Sequence, residues 1–280
     1  MPLSLPHLLP GLALALALAA CTDPNGPERS DALIVRSAPG TDAAEAAQSA
    51  PPATPEEAFE RGVFLTDQPE AARKAPVVTR WERRPEAFVL DLTGPEMPLP
   101  EDVAALAEAG AHYLPMTGLA PGTADGPPAE IRMIITPPET VARMAERLFG
   151  PGMAALRREG EAPDALSCFA NLVFDTSRPG VIAGAAVVVS GALGAERRAN
   201  CFRLGMLLAL RPSASFVDGA EDFSLDTPPS RAQEVQLRML YDPALAPGMT
   251  LEQARPLLPA VAARALLADR AAHGGTPALP

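Results

Sequence analysis

Val181-Ile182-Ala183-Gly184-Ala185-Ala186-Val187-Val188-Val189 is apolar on both faces. A strand with one face in water alternates apolar with polar residues, so this run reads as a strand buried in the middle of a sheet. Residues 168–174 read as a second strand, joined to the first by a polar turn at 175–180. So short a connection favours an antiparallel hairpin. Upstream, residues 76–81, 87–92 and 131–135 carry three more strand signals.

Helical patterns fill the spaces between. Thr54-Pro55-Glu56-Glu57 is a helix start, with Thr as cap, Pro at the first helical position and acids in the first turn. Residues 101–114 form an amphipathic helix with Val103, Leu106, Ala107, Gly110 and Leu114 on one face. A further helix is expected at 138–148. The helix at 196–210 has almost no polar face after Arg203, which predicts burial. Residues 230–241 and 251–272 supply the last helices, with Pro256 and Pro259 breaking the final one early. Strands interspersed with helices, followed by a helical last third, predict one α+β domain over 54–272 with a mixed sheet.

The N-terminus gives an address. Residues 8–20 are uncharged, and Leu18-Ala19-Ala20-Cys21 has the form of a lipoprotein signal, with small residues before the cysteine. A membrane-spanning helix needs about 20 apolar residues, and this run is shorter. The expectation is a signal peptide at 1–20, lipidation of Cys21, and a membrane contact made by acyl chains. Residues 21–53, rich in Ala, Pro, Ser, Asp and Gly, read as a flexible tether, and 273–280 as a disordered tail.

Charge and composition exclude several partners. The formal net charge is −11 and Lys74 is the one lysine, which argues against nucleic acid and against docking on anionic lipid heads. Aromatic residues make up 4% of the chain, so the core is expected to be aliphatic. With Cys21 used by lipid, Cys168 and Cys201 remain as an even pair in an oxidising compartment. A disulfide between them is expected, the alternative being two buried free thiols.

Few residues carry chemistry. Three histidines occur: His7 in the signal, His273 in the tail, and His112 on a helix with Glu108 one turn earlier, an ordinary surface pair. A zinc site needs three or four ligands, usually His or Cys, so no metal, no cofactor and no catalytic residue is assigned. Ser190-Gly191 lacks a nucleophile elbow, and Gly150-Pro151-Gly152 lacks the Lys-Ser/Thr of a phosphate loop. Asp218, Glu221, Asp222 and Asp226 form the densest acidic cluster, a candidate for weak binding of a hard cation. Their spacing does not match a helix–loop–helix calcium loop.

Four features stand out over about 170 of the 280 residues: Arg80-Trp81, Cys168 before a two-strand apolar segment, Cys201 beginning a helix, and Leu240-Tyr241-Asp242-Pro243-Ala244-Leu245-Ala246-Pro247-Gly248-Met249. Together they resemble the bacterial lipoprotein family catalogued as domain of unknown function 2927. The resemblance implies a degenerate zincin-like (metallopeptidase-like) fold and carries no established activity. Family members usually keep a Glu-Glu and a Gln where a working enzyme has its metal-binding positions, here matched by Leu204, Gly205 and Leu208. It implies a periplasm-facing envelope protein with an unidentified envelope partner or ligand. Thr22 after the lipidated cysteine gives no simple inner-membrane retention signal, which favours the outer membrane.

Overall fold

The computed structural model describes residues 54–64, 77–94, 98–121, 129–149, 167–211 and 225–274. The expected signal, lipidation site Cys21 and tether lie outside these residues, as do residues 275–280.

Four strands form one open sheet in the order β1-β2-β4-β3. They are β1 (Glu86–Asp91), β2 (Glu130–Thr136), β3 (Cys168–Phe174) and β4 (Ile182–Ser190). β1 pairs parallel with β2, and β2 pairs parallel with β4, with Val89 opposite Met133 and Met133 opposite Val187. β3 closes the edge as the antiparallel partner of β4, with Ala170 opposite Val187. The two strands flanked on both sides, β2 and β4, are the apolar runs, as burial on both faces requires. The α+β class, the mixed sheet and the hairpin are therefore as expected. The strand expected at 76–81 is not formed. Residues 77–79 are outside regular structure, and Arg80 makes a single bridge to Val181. The bridge consists of Arg80 N–H donating to Gly180 and Ile182 N–H donating to the Arg80 carbonyl, while Val78 pairs with the 248–249 loop, donating to Met249 and accepting from Gly248 N–H.

The helices are α1 (Pro55–Phe64), α2 (Pro100–Tyr113), α3 (Pro138–Phe149), α4 (Ala195–Leu210), α5 (Arg231–Leu240), α6 (Leu251–Ala254) and α7 (Leu258–His273). A 3-10 turn at Arg255–Leu257 separates α6 from α7, where Pro256 and Pro259 were expected to break the helix. The buried side of α2 keeps Leu106, Gly110 and Leu114 of the expected face but not Val103 and Ala107, which are exposed. Asp102, Leu106, Ala109, Gly110 and Tyr113 face inward, whereas Val103 is 50% exposed. Polar pairing sets this rotation: Asp102 accepts from Arg198 of α4 at 2.9 Å, and Arg198 also reaches the Leu193 carbonyl at 2.8 Å.

Helix α4 is the beam of the core. From Leu204 to Leu210 every residue is buried. It lies against Val187 of β4 so closely that a Cβ on Gly205 would stand 2.4 Å from Val187 Cγ1. Only glycine permits that approach. The disulfide between Cys168 and Cys201, with Cα atoms 5.8 Å apart, ties β3 to the same helix.

The far end of α4 is closed by two segments distant in sequence, Arg80-Trp81 and residues 240–249. The last carbonyls of a helix have no partner within it. Trp81 Nε1 donates to the Ala209 carbonyl at 2.8 Å, and the Tyr241 hydroxyl donates to that of Leu210 at 2.8 Å. Arg80 reaches the carbonyls of Leu240 and Asp242 at 3.0 and 3.1 Å. Asp242 in turn accepts two hydrogen bonds from Arg264 of α7, at 2.7 and 2.8 Å. Gly180 and Gly248 meet beside this junction, both at positive φ, where a Cβ on Gly180 would stand 2.3 Å from the Gly248 nitrogen. Arg80-Trp81 and the 240–249 segment are thus parts of one structural joint.

Candidate functional site

The chemistry-bearing side chains gather where α2, α5 and α7 meet. Ser230 opens α5 with a capping box, accepting from Gln233 N–H while the Gln233 side chain accepts from Ser230 N–H. The helix that follows is buried along most of its length, including Glu234. Burying a carboxylate is costly unless it is paired. Glu234 Oε1 lies 2.8 Å from His112 Nε2 of α2. On α7, Asp269 is fully buried, and its Oδ2 accepts from Arg231 at 2.5 Å. His273, one turn further on, stands 3.1 Å through Nδ1 from Asp269 Oδ1, and 3.7 Å through Nε2 from Glu234 Oε2.

Two expectations are corrected here. His112 does not pair with Glu108. Glu108 takes Arg203 at 2.9 Å, and His112, itself exposed, meets the buried Glu234 instead. His273 does not belong to a disordered tail. It is the last residue of α7, which Gly274 ends at φ 63°. The described fold therefore holds a second histidine, His273, besides His112. Helix periodicity was the signal that could have found it, since Asp269 and His273 are an i,i+4 pair.

A groove of about 300 Å³ opens over this cluster, bounded by His112, Pro115, Met116, Arg238, Ala272 and His273. Tyr113 lies behind it. Its phenol is pushed well above the ordinary range, first by burial and then by the negative charge of Glu234. What the arrangement can do is hold a cation against two buried carboxylates, or keep an ion-pair network at a helix junction.

The other sequence candidates are not brought together with this cluster. Asp226 is exposed and pairs with Arg197 at 3.3 Å. Asp218, Glu221 and Asp222 lie outside the described residues. Leu204, Gly205 and Leu208, which match metal-binding positions in the resemblance, are core residues against the sheet. Cys168 is bonded to Cys201, so Cys201 offers no thiolate to His112.

Among the described residues, no helix is long and apolar enough to cross a membrane. Compared with known proteins, the chain matches no family model, no curated protein and no solved structure.

Proposed function

We propose that this chain is a lipid-anchored, periplasm-facing envelope protein whose domain is a degenerate zincin-like scaffold used for binding or assembly rather than catalysis. The observation that carries the reading is the use made of α4. In a zincin-like enzyme the corresponding helix would supply metal ligands and a general base. Here Leu204 and Leu208 are 5% and 1% exposed, and Gly205 is pressed on Val187. No polar atom of that stretch of side chains is available to a metal or a water. The same helix is clamped at its C-terminal end by Trp81 and Tyr241 and near its middle by the disulfide, as a structural beam would be.

The anchor rests on Leu18-Ala19-Ala20-Cys21. The binding surface we assign is the groove between α2, α5 and α7. Crosslinking of the anchored chain in its own envelope tests this. A photo-crosslinking residue at Met116 should give a discrete adduct, and the same residue at Arg132, on a different part of the fold, should not. Equal adducts from both positions, or none from either, would sink the binding reading.

A carboxylate- or metal-dependent periplasmic hydrolase is the competing reading. It is favoured by one observation, the meeting of His112, Glu234, Asp269 and His273 beside a groove.

A further inference from the structure

Each carboxylate of the cluster is tied by one oxygen and presents the other to a histidine. His112 holds Glu234 Oε1 at 2.8 Å, and Arg231 holds Asp269 Oδ2 at 2.5 Å. The second oxygens, Glu234 Oε2 and Asp269 Oδ1, both face His273, at 3.7 and 3.1 Å from its two ring nitrogens. One ligand atom from each of Glu234, Asp269 and His273 lies within 4.8 Å of the other two. Glu234 is 5% exposed, and its Oε2 makes no hydrogen bond among the described residues. A carboxylate oxygen that has lost water and gained no donor is destabilised, and a cation is what would satisfy it.

We infer that Glu234, Asp269 and His273 form a binding site for a divalent transition ion, with Zn²⁺ the best match to the donor set. Two hard carboxylate oxygens beside one borderline imidazole nitrogen make a donor set that suits Zn²⁺ and Mn²⁺. Asp269 and His273 share a face of α7 by their i,i+4 spacing, and Glu234 faces them from α5. Tetrahedral zinc holds ligand atoms about 3.3–3.6 Å apart, so a small inward turn of His273 completes the set. His273 has 30% of its side chain exposed at the groove, which leaves water access to the fourth position. His112 and Arg231 act as positioning residues, each fixing the carboxylate oxygen that the ion does not use. Arg231 also opposes the ion's charge, so micromolar rather than tighter affinity is expected. The site is independent of α4 and of the zincin-like reading.

The test uses the full chain in mild detergent, dialysed against a chelator and then titrated calorimetrically with Zn²⁺. About one zinc per chain is expected, with Co²⁺ giving the visible absorption of a low-symmetry site. Glu234→Gln and His273→Ala should each weaken zinc by roughly tenfold or more, and His112→Ala by less. Circular dichroism establishes that each variant is folded, and Asp269→Asn serves where one is not. Failure of the folded wild type to retain Zn²⁺ or Mn²⁺ would overturn the inference. So would equal zinc binding by wild type and variants, which would place the ion elsewhere, as on the acids at 218–222.

Discussion

Gly205 of α4 and Val187 of β4 are in contact through backbone and side chain, with room for no Cβ on the glycine. A helix normally gains about 1 kcal/mol when an interior Gly becomes Ala. Here the added methyl must displace Val187 Cγ1, which it would meet at 2.4 Å, and behind Val187 is the packed sheet. Overpacking of this kind costs about 1–3 kcal/mol. Gly205→Ala is therefore expected to be destabilising on balance in urea unfolding. Adding Val187→Ala should restore part of the loss, because it removes the clashing methyls. A Gly205→Ala variant more stable than wild type would contradict the packing.

The bond from Cys168 to Cys201 closes a loop across 33 positions and pins β3 to α4. Constraint of the unfolded chain by a loop of that length stabilises by about 3–4 kcal/mol. The double variant Cys168→Ser with Cys201→Ser should lose about that much in denaturant unfolding. Thiol labelling of the oxidised wild type should find neither cysteine.

Tyr241 contributes its buried ring, which lies 5.7 Å under Arg80, and, separably from it, its hydroxyl. It donates to the Leu210 carbonyl at 2.8 Å and accepts from Trp81 N–H at 3.3 Å. Burial pushes the phenol well above its ordinary range, so it stays a donor. Tyr241→Phe keeps the ring but leaves a buried carbonyl and a buried N–H without that partner, at a cost of about 1–3 kcal/mol. A thermal melt compared with wild type reads the difference.

Acid should weaken the joint between α5 and α7. Hydrogen bonds from Arg264 hold the Asp242 carboxyl below the usual carboxylate range, against a smaller upward push from burial. A carboxyl lowered in the folded state stabilises above its unfolded value, near about 4, and that contribution fades as pH falls through the folded value. Asp242→Asn should therefore be less stable than wild type at neutral pH and show a flatter loss of stability in acid. Urea midpoints across that range measure it. Parallel curves for the two proteins would remove Asp242 from the account.

Local patterns were legible in the sequence because their causes are local. The unalternating run at 181–189 announced a central strand, and the short polar turn announced its hairpin with 168–174. The capping signals and the prolines at 256 and 259 marked helix ends where they occur. Residues 76–81 mislead because an extended, apolar backbone resembles a strand, whereas the described part of this segment pairs with the sheet only at Arg80 and ties Val78 to the 248–249 loop. The site was hidden for a different reason. Its residues come from α2, α5 and α7, with 122 positions between His112 and Glu234. Glu108 was the obvious local partner for His112, and only the packing of α4 assigns it to Arg203 instead. Ending the last helix one residue early removed His273 from view.

The central claim, that this scaffold binds without catalysing, is tested most directly by exposing the full chain to a diverse peptide mixture in zinc and in chelator, with mass spectrometry of the products. The account predicts identical peptide spectra in the two conditions, even where calorimetry shows zinc bound. Cleavage products that form with zinc, vanish with chelator and fail to form with Glu234→Gln would contradict it.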